Sequence, residues 1–173
     1  MEYELCIREA EAQDAAALVA FLDLVGQETD FTSLDENGIL MTESEMALFI
    51  EKQATSDNQI TLLALLNGEI AGVLNITAEQ RIRIRHIGDI FLVVQRKFWN
   101  HGLGSILLEE GIEWAKTSGV LRRLQLSVQK RNEVAIQLYS KFGFVTEGLQ
   151  ERGAYLKEGI FLDVYLMGRL IDK

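Results

Sequence analysis

The turn Phe98-Trp99-Asn100-His101-Gly102-Leu103-Gly104-Ser105 lies between two opposite patterns. Ahead of it runs a nearly pure apolar stretch, Ile90-Phe91-Leu92-Val93-Val94. Behind it Ile106, Leu107, Ile112, Trp114 and Ala115 recur at helical spacing. A strand, a glycine-bearing turn and a helix start, in that order, aim several unpaired backbone N–H groups at one point, where the helix dipole favours an anion. The chemistry expected there is binding of a phosphorylated ligand. Two common nucleotide readings fail on single residues. A P-loop needs lysine after its second glycine, and Gly104 is followed by Ser105. A dinucleotide fingerprint needs a third glycine where this chain has Leu107.

Other chemistries find little support in the residue inventory. Cys6 is the only cysteine, so no internal disulfide forms, and its alternating segment Tyr3–Arg8 predicts a core or near-core position. His86 and His101 are the only histidines, and no cluster has metal-ligand spacing, so no metal is expected. The net charge of −9 argues against a nucleic-acid surface; it suits either a cationic substrate or solubility alone. Apolar stretches fall short of the roughly 18–20 residues a membrane span needs, and Glu2 and Glu4 put acid where a signal peptide carries base. No membrane association and a cytoplasmic location are the expectation.

These residues need elements to hold them. A strand is expected at 3–9 and a helix at 12–25, stopped by Gly26, then a polar loop at 27–41. Thr42 and Glu45 form a capping box opening a helix to about Ser56. Ile60–Leu66, Asn67-Gly68 and Glu69–Thr77 read as a hairpin on a type I′ turn. Residues 82–94 extend the sheet, with Arg81, Arg83 and Arg85 alternating against Ile82 and Ile84. A helix follows at 103–118, then a strand at 124–128, a helix at 133–142, and strands at 144–147 and 160–167. The result is one α/β (α+β) domain over residues 1–173, ordered βααβββαβαββ, with helices flanking a mixed, mostly antiparallel sheet.

A second segment sharpens the reading: Asn132-Glu133-Val134-Ala135-Ile136-Gln137-Leu138-Tyr139-Ser140-Lys141-Phe142-Gly143-Phe144. Together with the turn at 99–104 it resembles the GNAT superfamily of acetyl-CoA-dependent N-acetyltransferases, over essentially the full chain. The family's turn reads Q/R-x-x-G-x-G/A, and its later motif N-x-x-A-x-x-x-Y-x-x-x-G-F. Trp99 departs from the first pattern, standing where a Gln or Arg side chain usually helps hold the pyrophosphate. The backbone amides of Asn100, His101, Gly102, Leu103, Gly104 and Ser105 must then supply most of the anion site, and Trp99 reads as a packing residue that anchors the loop. His101 lies either beside the phosphates or in solvent.

The resemblance implies acetyl transfer to a primary amine of a small molecule, peptide or protein by direct attack, without a metal. It further implies that Leu92, Val93 and Val94 offer backbone groups to the pantetheine arm and that Ala135 is small where the ligand approaches. Asn132 either places its amide near the arm, caps the helix, or does both. Tyr139 is the best general acid for the leaving thiolate, with a core tyrosine as its alternative. Arg96, Lys97, Lys130 and Arg131 either offset the nucleotide charge or are solvated. For the base, Asp89, His86, a water chain, and the loop acids Glu28 and Asp30 all stand open; period-2 alternation puts Asp89 with Phe91 and Val93, opposite Gly88. The acceptor walls implied are Glu28, Asp30 and Phe31, and Glu151, Arg152 and Tyr155. Acids there would suit a cationic amine and Arg152 a carboxylate; polar loops without a ligand are the plainer reading. A non-catalytic acyl-CoA sensor and, more distantly, a nucleotide-binding regulatory module are the competing functions. A homodimer, common in the family, is left open.

Overall fold

In the computed structural model, which describes residues 2–172, the element order is the expected one. It runs β1 (Leu5–Glu9), α1 (Ala15–Glu28), α2 (Glu43–Ala54), β2 (Ile60–Leu66), β3 (Glu69–Thr77), β4 (Ile87–Val94), α3 (Leu103–Thr117), β5 (Arg123–Gln129), α4 (Glu133–Lys141), β6 (Val145–Leu156) and β7 (Ile160–Leu170). The strands form one seven-stranded sheet in the order β1-β2-β3-β4-β5-β7-β6. Every neighbouring pair is antiparallel except β4–β5. Asn67 and Gly68 both sit at positive φ, 50° and 84°, as a type I′ turn demands.

Alternating side chains of the central strands feed two cores. Leu63, Leu65, Val73 and Val93 pack under α1 and α2, and Leu62, Ala64, Leu74 and Ile76 under α3 and α4. The β4–β5 pairing covers only Ile87↔Arg123, Gly88↔Leu124 and Asp89↔Gln125. Beyond Asp89, β4 stays with β3 while β5 stays with β7, so the sheet forks.

Four expectations are corrected. Residues 81–86 are turns rather than strand: Ile84 N donates to Arg81 O at 3.0 Å and Ile87 N to Ile84 O at 3.1 Å. The Arg/Ile alternation there has no sheet to match, and Ile82 is 86% exposed. The first helix runs past Gly26, because that glycine serves a close approach: a Cβ there would lie 2.5 Å from the Asp35 carbonyl oxygen. Cys6 is exposed, since β1 is the edge of the sheet and neighbours pack it on one side only. The segment holding Glu151, Arg152 and Tyr155 is strand, not loop; β6 continues to Leu156 through irregularities at Thr146/Gly148 and Gln150/Ala154, with Arg152 at φ 54°.

The turns that lead into β4 hang on one buried side chain. Asn58, fully buried, donates to Glu79 O at 3.1 Å and Arg85 O at 2.9 Å, and accepts from Gln80 Nε2 at 3.0 Å and Ser56 Oγ at 2.8 Å. Asn58→Ala takes the side-chain donor from both carbonyls and empties a fully buried site. It is expected to cost about 2–3 kcal/mol in urea unfolding, against a near-neutral result for substitution of the solvated Arg83.

Candidate active site

A cavity of about 580 Å³ opens in the fork between β4 and β5. Its walls come from Asp89 to Leu92 of β4, Arg123 and Gln125 to Gln129 of β5, one face of α4, the β6–β7 hairpin and residues 31–33.

Residues of β4 offer their backbone there in a set alternation. Gln95 N donates to Ala71 O at 2.9 Å, so in an antiparallel ladder Val93 and Phe91 also direct their polar groups to β3. Ile90, Leu92 and Val94 therefore turn theirs to the open edge. Of the three residues expected to hold a pantetheine arm, only Leu92 has both the right edge and a place in the cavity wall. Val93 is buried in the α1–α2 core, and the Val94 carbonyl is taken by Trp99, whose Nε1 donates to it at 2.7 Å. Trp99 thus anchors the turn back onto β4, with the Arg96 guanidinium 5.3 Å from its ring centroid.

The turn itself bends at Asn100 (φ 65°) and Gly102 (φ 81°), the latter capping α3. His101 is exposed. The first turn of α3 carries no acid, and its first bonded amide is Ile106 N to Gly102 O at 3.1 Å. The amides of Leu103, Gly104 and Ser105 face outward as free donors. Gly104 sits where a Cβ would come 3.3 Å from Leu138, so the start of α3 nestles against α4.

The α4 motif is legible as local geometry. Asn132 Oδ1 accepts from Ala135 N at 3.3 Å, closing the N-terminus and leaving its NH₂ unused. Asn132, Ala135 and Tyr139 then share the helix face on the cavity. At the other end Gly143 adopts φ 89°, and Phe144 N returns to Tyr139 O at 3.0 Å, a Schellman closure. That closure sets the Phe144 ring edge-on to Tyr139 at 5.8 Å. Burial pushes the Tyr139 phenol up to about 12, and among the described residues no side chain or backbone group hydrogen-bonds its hydroxyl.

Asp89 lines the cavity without any bulge in β4, because the fork is open from both faces of the sheet. Its Oδ1 accepts from Gln125 Nε2 at 2.8 Å. Arg123 and Glu147 stand beside it, paired through the two terminal guanidinium nitrogens. Neither Gln125, Arg123 nor Glu147 was singled out from sequence; the polar positions 123, 125, 127 and 129, alternating with Leu124, Leu126 and Val128, were the available signal.

The acids Glu28, which ends α1, and Asp30 are occupied. Glu28 Oε2 accepts from Arg96 N at 2.9 Å. Asp30 pairs with Arg131 at 2.5 Å, and its carbonyl accepts from Gln129 Nε2 at 2.7 Å. Phe31 lines the cavity beneath Arg131, whose guanidinium lies 4.9 Å from its ring. Arg152 and Tyr155 stand outside the cavity wall, each against Phe161. His86 is half-exposed, and its carbonyl, not its ring, is engaged, accepting from Arg122 N at 2.9 Å. Among the described residues no group of His, Cys, Asp and Glu could hold a metal, and no helix is long and apolar enough to cross a membrane.

Comparison with known proteins agrees with this geometry. The model of the acetyltransferase (GNAT) family matches residues 28–144. The L-amino acid N-acetyltransferase AaaT of Escherichia coli K12 is 35% identical over 109 residues, covering 63% of this chain and 67% of that protein. The crystal structure of an acetyltransferase of the GNAT family from Streptococcus pneumoniae superposes with a TM-score of 0.96 at 67% identity, covering 98% of this chain and 100% of that one. In fold alone, yncA from Salmonella typhimurium, solved with acetyl-CoA, is similar at a TM-score of 0.84 and 19% identity, over 98% and 95% of the two chains.

Proposed function

The chain belongs to the acetyltransferase (GNAT) family, and from that premise we propose that it transfers acetyl from acetyl-CoA to the primary amine of a small, amino-acid-like acceptor. The observation that carries the reading is the forked sheet. One cavity joins an open strand edge at Leu92, a buried phenol at Tyr139 and a carboxylate at Asp89. Acetyl-CoA is the molecule bound by yncA, and an L-amino acid is the acceptor class named for the Escherichia coli relative. The non-catalytic reading is not favoured by relatives that are themselves transferases.

Bound acetyl-CoA supplies the activated acyl group. The free amides from Asn100 to Ser105 at the start of α3 hold its diphosphate. Leu92 offers its backbone as an added strand would find it, Asn132 its spare NH₂, and Ala135 the room for close approach. Asp89 takes one proton from the acceptor ammonium, and the freed lone pair forms the C–N bond as the C–S bond breaks. The nitrogen loses its second proton to solvent while the Tyr139 hydroxyl protonates the departing sulfur, later recovering a proton from water. Phe31 walls the acceptor side. The acids Glu28 and Asp30 are spent on the scaffold, and Arg152 and Tyr155 stand outside the cavity wall.

Saturating acetyl-CoA, at about 100 times its Kd, is expected to stabilise the protein by about 2.7 kcal/mol, which raises Tm by roughly 5–10 °C. Melting unaffected by acetyl-CoA but raised by ATP or NAD would sink the assignment. A thiol-release assay over L-amino acids, polyamines, aminoglycosides and peptide N-termini then tests the acceptor; turnover confined to polyamines would reject the amino-acid class.

A further inference from the structure

At the vertex of the fork four side chains form an ordered chain, of which the reaction above uses only Asp89. Glu147 on β6 holds Arg123 on β5, with Nη1 donating to Oε2 at 3.0 Å and Nη2 to Oε1. Arg123 Nε donates to Gln125 Oε1 at 3.0 Å, and Gln125 Nε2 donates to Asp89 Oδ1 at 2.8 Å. All four line the cavity, and the chain ends at Asp89↔Gln125, the last residue pair before β4 and β5 part.

The order of donors has a consequence. A glutamine amide has a donor end and an acceptor end of nearly the same shape, and nothing intrinsic decides which way it turns. Arg123 has only donors, so its Nε–H fixes the Gln125 oxygen toward itself and leaves the NH₂ for Asp89. Glu147 fixes Arg123 in turn, and each partner reinforces the other's charge: the Glu147 carboxyl is held below its ordinary range and the Arg123 guanidinium above. Asp89 always meets a donor at Oδ1, and its Oδ2 is left free for an amine proton.

We propose that Gln125, oriented by the Arg123–Glu147 pair, is a positioning residue that holds Asp89 Oδ1 and aims Oδ2 as the base for the acceptor amine. This rests on the reading of Asp89 as base. The ammonium N–H bond breaks, its proton passes to Asp89 Oδ2 and from there to water, and the amide of Gln125 holds Oδ1 throughout. The charged or titratable groups on the cavity around Asp89 are Arg123 from β5, Glu147 from β6 and Tyr139 from α4; residues 31–33 contribute none. Among the described residues only the Gln125 amide hydrogen-bonds the Asp89 carboxyl, and the same amide also meets Arg123.

The test compares the pH dependence of kcat, using the fastest acceptor of the thiol-release panel, with an NMR titration of the Asp89 carboxyl carbon that needs no substrate. Gln125→Glu removes the donor to Asp89 and sets a second carboxylate against it. Both the acid limb and the Asp89 midpoint are expected to rise by about one pH unit or more. Gln125→Met keeps the length, lacks the donor and is expected to move both in the same direction by less; it also serves if Gln125→Glu does not fold. An Asp89 midpoint unmoved in these variants overturns the proposal, and so does a midpoint that moves without the kinetic limb. Asp89→Asn separates the two readings. Wild-type turnover in that variant removes Asp89 as base, whereas collapsed turnover beside unmoved Gln125 variants removes the relay alone.

Discussion

Tyr139→Phe is expected to lower kcat by about 10²–10⁴-fold, with the KM for acetyl-CoA unchanged. The size follows from position. The hydroxyl is the one titratable group that α4 presents to the cavity. The selectivity for kcat follows from what is lost: a group that acts only as the C–S bond breaks contributes to the transition state and not to ground-state binding. Stability should survive, because the hydroxyl has no hydrogen bond to any described residue and the ring keeps its edge-on contact with Phe144. Turnover within a factor of a few of wild type would assign Tyr139 to the core alone.

The same burial makes a pH prediction. With the phenol pushed up to about 12 from its ordinary value near 10, the acid stays protonated across the whole working range, so no basic limb below pH 10 belongs to it. The sign for stability is that of a raised pKa. The contribution is fully present below pH 10 and is lost as pH climbs toward 12, amounting to about 2–3 kcal/mol for a shift of that size. Tyr139→Phe cannot ionise there. Its melting temperature should therefore fall less steeply than wild type above pH 10, which a pair of melting curves decides.

What the sequence made legible is what local physics fixes. The Asn67-Gly68 hairpin and the Asn132 cap each act within a few residues, so their residue types announce them. Strand–turn–helix order at 90–106 is of the same kind. The fork is not, because it depends on where β4 stops pairing with β5, and no residue of either strand marks that place. The side-chain partners also escaped for a reason of distance. Arg123 and Glu147 are 24 residues apart, and Asp30 and Arg131 are 101 apart, so charge patterning gave no hint that these acids were committed. Alternation misled where it had no sheet behind it, as at Arg81–Arg85, and where it sat on an edge, as at Cys6. For Asp89 the parity was right and the inference from it incomplete: it shares the face of Phe91 and Val93, yet a gap in the sheet can be reached from either side.

Ser105→Asp should separate affinity from stability by moving them in opposite directions. Ser105 is the third residue of α3, whose first turn holds no acid among its outward amides. A carboxylate there meets the positive end of the helix dipole and should stabilise the fold by about 0.3–1 kcal/mol. The same charge occupies the place proposed for the diphosphate, competing for its donors and repelling it. With Trp99 spent on the Val94 carbonyl, no side chain from the usual position is free to compensate. The expected result is a KM for acetyl-CoA raised by a factor of about 10 or more, since one lost charge-assisted contact of 1.5–3 kcal/mol is worth roughly 10–100-fold, in a protein that melts no lower than wild type. Loss of affinity in a variant that has gained stability cannot be blamed on unfolding. An unchanged KM would mean that the diphosphate is held elsewhere, with the backbone of residues 100–105 serving only to start the helix.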